Sequence, residues 1–429
     1  MTRKRLLSWT TVLVAAALSI AACTSSEQQG GTSSVSEVRI GVLVPKSGES
    51  AGAGAEALHG AELAAALING DERPVPLAGI GNEGLAGLGG AKLSIVSADT
   101  RSRPEVGATE AARLVADERV VGLVGAYDTA ATEVASQRTE RLRVPFVNGD
   151  SPAGYLTERG LDWFFRVGPT DRMFGEAFFT ALSEIPGAAV RKVAIVFAND
   201  RPSNVLAGLT EELAKEGGFQ VVDKVGFAAG ATGNPVAAVT QLRNAATQPD
   251  AVFAIASTHG DGTRLVKAFG QVRYSPPGIV AFGSGFQPSS VLSDAGSDSE
   301  GLLTGTAWSR EIAGRNASAK PVMDLYEERF HQPMSDTAAG TFTAVLVLAE
   351  AISNAGSTDS QRVRAALLNL EIPGREMIMP WSGLRFDASH QNVAANGVVE
   401  QRVQGLFRVV FPEELQQAKP VWPRAGVNA

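Results

Sequence analysis

Short apolar runs alternate along this chain with longer segments in which apolar residues recur every three or four positions. Residues 38–44, VRIGVLV, read as a strand stopped by Pro45, which has no N–H to offer a central ladder. In residues 55–68, Leu58, Ala61, Ala65 and Ile68 share one helical face. A Gly- and Pro-rich loop at 69–90 precedes a strand at 93–96. A helix follows Pro104, a residue suited to a first helical turn, and carries Val106, Ala111, Leu114 and Val115. A strand at 120–124, a helix opening near Asp128 and a strand around 145–147 complete a first series. A second series follows, with strands at 193–197, 219–225, 252–256 and 279–282 and helices at 203–215, 235–245 and 262–269. Residues 320–370 read as mostly helical, and strands at 383–386 and 405–410 are expected to return and complete the sheets.

Strands that alternate with amphipathic helices imply parallel sheets covered on both faces. The predicted fold class is α/β, with two doubly wound parallel-sheet lobes and a cleft between them, a place that ligands favour. The expected division is a leader at 1–22, a polar tether at 23–37, a first lobe from 38–167 and 307–372, and a second from 168–306 and 373–429. A chain of 429 residues exceeds one compact core, in keeping with two lobes. The Ser/Thr/Gln/Gly tether would reach roughly 20 Å as a flexible coil.

The leader changes the picture of where the chain works. Arg3, Lys4 and Arg5 precede an uncharged apolar run that ends Ile20-Ala21-Ala22-Cys23, the layout of a secretory signal with a small-residue cleavage site. Ordinary cleavage nearby would make the cysteine incidental. A retained span is disfavoured, since the run falls short of the ~20 residues a bilayer needs. Cys23 is the only cysteine, so an oxidising compartment brings no disulfide. The formal net charge is −7, and the leader holds three basic residues and no acidic one, so the remainder is more acidic still. That balance excludes a nucleic-acid groove or a polybasic membrane patch.

Three local patterns resemble chemistry. Gly48-Glu49-Ser50-Ala51-Gly52 fits the nucleophile elbow of hydrolases, but several residues separate Ser50 from its strand. Only His59, His259, His331 and His390 could serve as a base, and a solvated loop serine is the better reading. Gly52-Ala53-Gly54-Ala55-Glu56-Ala57 fits a dinucleotide fingerprint, yet the loop is too long and the strand-end acid, Asp99, too distant. Scattered histidines argue against a metal site, and no cofactor is expected. The third pattern, Gly125-Ala126-Tyr127-Asp128-Thr129-Ala130-Ala131-Thr132, runs from a strand into a helix N-terminus, where free N–H groups and hydroxyls can hold an anion or a carbonyl oxygen. A plain helix cap at Asp128 or Thr129 explains the same residues.

Several segments occur together in order: the run 40–48, Ala98-Asp99-Thr100-Arg101-Ser102-Arg103-Pro104, the 125–132 turn, Pro145-Phe146-Val147-Asn148, Leu156-Thr157-Glu158-Arg159-Gly160 and Phe165-Arg166-Val167. In that order and spacing the chain resembles the leucine/isoleucine/valine-binding family of ABC-transporter solute-binding proteins, with the type I periplasmic-binding fold. The Ile20–Cys23 stretch resembles a lipobox, which implies acylation of Cys23. The resemblance further implies three crossovers between lobes, capture of a small polar solute by hinge closure and no enzymatic activity. It implies delivery to an ABC permease with its ATPase, attachment to the outer face of the cytoplasmic membrane and a monomeric state. A ligand sensor that signals to a membrane receptor is the alternative. The ligand-binding residues it points to are Tyr127, Thr129 and Ser151 on the first lobe and Ser203, Thr258 and Ser284 on the second. The recognition set departs from the family: Pro152 stands where a threonine is usual, and Gly283-Ser284-Gly285 holds no acid for an α-ammonium. Weak binding of branched-chain amino acids, and a preference for a neutral polar or amide-like solute, are therefore expected.

Overall fold

The computed structural model describes residues 35–77, 80, 83–286, 294–314 and 316–424. The leader, Cys23 and the tether as far as residue 34 lie outside the described residues. Strands β1 (Glu37–Val44), β2 (Lys92–Asp99), β3 (Gly122–Gly125), β4 (Phe146–Asn148) and β5 (Phe164–Arg166) form an all-parallel sheet in the order β2-β1-β3-β4-β5. Strands β6 (Lys192–Ala198), β7 (Gln220–Phe227), β8 (Ala251–Ile255), β9 (Gly278–Phe282) and β10 (Leu303–Thr306) repeat that order in a second sheet, β7-β6-β8-β9-β10. Parallel neighbours need long crossovers. Those of the first sheet include α1 (Ala51–Asn69), α2 (Pro104–Ala116) and α3 (Thr129–Leu142); those of the second include α5 (Arg201–Glu216), α6 (Val236–Arg243) and α7 (His259–Val272), with α4 (Asp171–Glu184) leading in from β5.

Apart from a single turn at Arg310–Ala313, the remaining helices among the described residues are α8 (Ala319–Phe330), α9 (Asp336–Ala355) and α10 (Ser360–Leu368). Helix α9 is apolar on all sides because it is buried on all sides. It packs against α1 so closely that a Cβ on Gly60 would lie 2.2 Å from the Ala338 carbonyl oxygen. It is the one helix among the described residues long and apolar enough to cross a membrane, and most of it is core.

The second sheet is not purely parallel. β13 (Val398–Val403) runs antiparallel to β10, and β14 (Leu406–Phe411) antiparallel to β13. The strand expected at 383–386 does not complete a lobe: β12 (Gly383–Arg385) pairs only with β11 (Glu371–Pro373). Met377, Ile378, Trp381, Leu384, Phe386 and Ala395, expected in the second lobe, share one apolar core with Val124, Val147 and Phe165 of the first sheet. Their side chains fill the end of that core, so the chain returns to the second sheet only at β13.

Candidate functional site

In parallel α/β sheets ligands bind beyond the carboxyl ends of the strands. The loop that follows β4 is held by a closed set of hydrogen bonds. Asn148 Nδ2 donates to the Gly125 carbonyl (2.7 Å) and to Ser151 Oγ (3.2 Å), while Ser151 N–H donates to Asn148 Oδ1 (3.1 Å). Ser151 Oγ donates to the Tyr127 carbonyl (2.8 Å) and lies 2.8 Å from Thr132 Oγ1, which accepts from the Ala126 N–H (3.2 Å). The Ser151 proton and both its lone pairs are thus committed within the protein. Arg166, 1 % exposed, donates to the carbonyls of Ser151 (3.2 Å) and Ala153 (2.5 Å), to Thr157 Oγ1 (3.0 Å) and to Gln391 Oε1 (2.6 Å). Burial lowers its guanidinium to about 10.

The turn into α3 is built as the sequence suggests, with a different electrostatic character. Tyr127 takes a left-handed backbone, φ 70°, and is buried, and burial drives its phenol well above the usual range. The Asp128 carboxylate does not cap the helix; it accepts from the Ser50 hydroxyl at 3.0 Å, and burial pushes it up to about 6. That contact answers the hydrolase motif: the Ser50 hydroxyl faces a carboxylate, not an imidazole. Gly54, of the dinucleotide-like pattern, packs α1 on the strand end, since a Cβ there would lie 1.9 Å from the Pro45 carbonyl oxygen.

Across the cleft, Asp200 caps α5. It accepts from the Ser203 N–H (2.8 Å), the Ser203 hydroxyl (3.1 Å) and the Ser257 hydroxyl (2.9 Å). The Ser284 hydroxyl donates to the Ser257 carbonyl (2.9 Å). Thr258 caps α7 and donates to Asp261 Oδ2 (3.0 Å). Arg201, at the start of α5, forms an ion pair with Glu133 of α3 and lies 5.0 Å over the Tyr155 ring, joining the two sheets' helices across the opening.

Two cavities lie between these strand ends. The first, of about 50 Å³, is bounded by Gly149–Pro152 and Gly168–Asp171 on one side and by Ala281–Ser284, Thr304 and Gly305 on the other. Phe174 and Phe178 of α4, and Asp336 and Thr337 at the start of α9, complete it. The second, of about 10 Å³, has room for little more than a water and is lined by Thr129, Ser203, Ser257 and Ser284 among others. Ser151 and Ser284 therefore reach the first cavity, and Thr129, Ser203 and Ser284 the second. Tyr127 and Thr258 line neither.

The first cavity holds three acids that sequence reading did not select. Asp171 is 7 % exposed, and its Oδ1 has no hydrogen-bond partner among the described residues. Burial raises it to about 7 against the pull of Arg166. Asp150 accepts from the Thr341 hydroxyl at 3.1 Å, and burial together with the Asp336 charge raises it to about 8. Asp336 accepts from the Ala307 N–H at 3.3 Å and is raised by burial to about 6. Asp150 and Asp336 are half-buried and both line this cavity. Asp171 and Asp336 are each the first residue after a capping Thr170 or Ser335. An acid in a first helical turn is so ordinary that the sequence offers no reason to look further. Among the described residues no group of His, Cys, Asp or Glu side chains is placed to hold a metal ion.

A family profile described as periplasmic binding protein matches residues 37–402. The Leu/Ile/Val-binding protein homolog 7 of Brucella abortus is 24 % identical over 410 residues, covering 92 % of this chain and 96 % of the relative. Among solved structures, the chain is similar to the branched-chain amino acid transporter substrate-binding protein LivJ of Streptococcus pneumoniae, solved with isoleucine. That match has a TM-score of 0.73 and 23 % identity, over 88 % of this chain and 100 % of the other. A solute-binding protein of an ABC transporter from Rhodopseudomonas palustris, solved with 3,4-dihydroxybenzoic acid, matches with a TM-score of 0.69 and 19 % identity over 87 % and 95 %.

Proposed function

The chain belongs to the periplasmic binding protein family, a family of binding proteins rather than enzymes, and from that premise we propose that it is the extracytoplasmic solute-binding component of an ABC importer. It captures a small polar solute, an amino acid, an amide or a related compound, between two lobes that close about a hinge, and delivers it to a membrane permease with its ATPase. Acylation of Cys23 tethers the monomer to the outer face of the membrane. The observation that carries this reading is the cavity enclosed from both sides by the carboxyl ends of two sheets of the same order. The Leu/Ile/Val-binding relatives and the isoleucine- and dihydroxybenzoate-bound neighbours support solute capture and leave the solute class to the cleft residues.

An unbiased thermal-shift screen of the purified protein, followed by small-angle scattering at saturation, tests the capture reading. A ligand that raises the melting temperature and shrinks the radius of gyration is the expected result. No stabilising compound in a broad solute library would sink it. Leucine, isoleucine and valine should bind only weakly by calorimetry, and micromolar affinity for any of them would overturn that expectation. Cys23→Ala should shift the protein from the detergent to the aqueous phase on phase separation; unchanged partitioning would remove the lipid anchor.

A further inference from the structure

The first cavity is rich in carboxylates, with the hydroxyls of Ser151, Ser284, Thr304 and Thr337 beside them. Asp150, Asp171 and Asp336 line it, and among the described residues no lysine, arginine or histidine does. Arg166 acts on Asp171 through space, but its N–H bonds go to Ser151, Ala153, Thr157 and Gln391. Asp150 receives a bond from Thr341 and Asp336 one from Ala307. Asp171 Oδ1 receives none among the described residues, at a side chain more than nine-tenths buried. The Ser284 hydroxyl has spent its proton on the Ser257 carbonyl and presents lone pairs. Phe174, Phe178 and Phe282 form an apolar wall.

A buried carboxylate with an unmatched oxygen, Asp171, beside two half-buried acids is costly unless something with positive charge and N–H groups joins them. A zwitterion would bring the charge but would need a home for its own carboxylate. Among the described residues no basic side chain lines either cavity, and the two helix starts that reach the first, those of α4 and α9, already carry Asp171 and Asp336. A quaternary ammonium has no N–H for Asp171 Oδ1. A metal ion is disfavoured because the acids are not grouped closely enough to hold one.

We propose that the cleft takes a small organic cation, a primary ammonium on a short apolar body, with its N–H groups on Asp171, its charge in the field of Asp150 and Asp336, and its body against Phe174 and Phe178. The inference rests on the reading of this cleft as the capture site and narrows the solute class. It replaces the neutral or amide-like solute expected from the hydroxyl-rich turns. Cation binding draws protons off the three acids, whose ordinary values burial has raised to about 8, 7 and 6 for Asp150, Asp171 and Asp336. Affinity therefore increases from pH 6 to pH 8, with Arg166 the cation that already favours ionised Asp171.

Calorimetry of the full chain with propylammonium, benzylammonium, tetramethylammonium, propionamide and leucine tests this. Saturable binding of a primary ammonium is expected, at least tenfold tighter at pH 8 than at pH 6 and at least tenfold weaker in Asp171→Asn. Titration of the wild type in two buffers of different ionisation enthalpy gives a second readout, proton release on binding, which does not depend on the variant folding. Tighter binding of propionamide or leucine, with Asp171→Asn unaffected, would overturn the cation inference and leave the capture reading standing. Binding of tetramethylammonium as tight as the primary amines would overturn the role given to Asp171. Failure of every probe, while the solute library yields a non-cationic ligand, overturns the inference alone; failure of probes and library together overturns both.

Discussion

The two sheets run in the same strand order, yet they meet the cleft with different chemistry. The first ends in a bracket of side chains that satisfy one another, Asn148, Ser151 and Thr132, clamped from beneath by the buried Arg166. The second ends in a simpler device, Asp200 collecting Ser203 and Ser257 at one helix end. One is anchored through the core and through Gln391, more than 200 residues away in sequence; the other is a local cap with one added hydroxyl. A shared topology therefore sets where the loops stand but not how firmly, nor which charge they carry.

That contrast can be broken most directly at the anchors. Arg166→Ala strands the carbonyls of Ser151 and Ala153 and the side chains of Thr157 and Gln391, and should lower the unfolding free energy by about 3–5 kcal/mol in denaturant melts. Asp200→Ala should cost only about 1–2 kcal/mol, as loss of a helix cap. Equal losses would show that the two rims are equivalent.

The next effect is of pH. In the folded state Asp150 sits near 8 rather than 3.8, so folding tightens its proton. Its contribution is complete below about pH 4 and is lost as pH rises through 8, worth on the order of 3 kcal/mol at ~1.4 kcal/mol per unit after allowance for its partial exposure. Stability of the ligand-free protein, measured by urea unfolding from pH 4.5 to 8.5, should fall over that window, and Asp150→Asn should flatten the fall. A variant that tracks the wild type would remove Asp150 from the account.

Close packing separates the lobes as well. A Cβ on Gly149 would lie 2.4 Å from the Gly340 carbonyl oxygen, backbone against backbone, so Gly149→Ala should cost about 1–3 kcal/mol. Gly208 in α5 meets nothing within 4 Å, and Gly208→Ala should gain about 0.5–1 kcal/mol from helix propensity. The smallest effect belongs to the latch. Arg201 is largely exposed, so Arg201→Ala should change stability by less than about 1 kcal/mol. Its signature is a larger radius of gyration in scattering and a few-fold loss of solute affinity. Unaltered scattering would leave Arg201 a surface contact only.

Much of the architecture was legible because burial imposes period. β8 and β9, and β1 and β6 once past their charged first residues, are continuous apolar runs, as strands covered on both faces must be. The missed elements break that rule for identifiable reasons. β10, Leu-Thr-Gly-Thr, is short and holds one strongly apolar residue. β13, Val-Val-Glu-Gln-Arg-Val, buries its polar centre: Gln401 bonds the carbonyls of Gly301 and Val421, and burial raises Glu400 to about 8. A pattern that equates polar with exposed passes over such a strand.

In the site, Ser151, Thr129, Ser203 and Ser284 were reachable through the family resemblance, which points to the loops and helix starts beyond the strand ends. Tyr127 and Thr258 come from the same kind of turn but line neither cavity. The sequence by itself determined the alternation of strand and helix, the two series and the loops that border a cleft. The tertiary structure alone decided its charge. Asp150, Asp171 and Asp336 each look like an ordinary loop acid or helix-start acid, and they become a site only where separate passages of the chain between the sheets bring them to one cavity. Periodicity records which side of an element is buried; it carries no record of which distant element will face it.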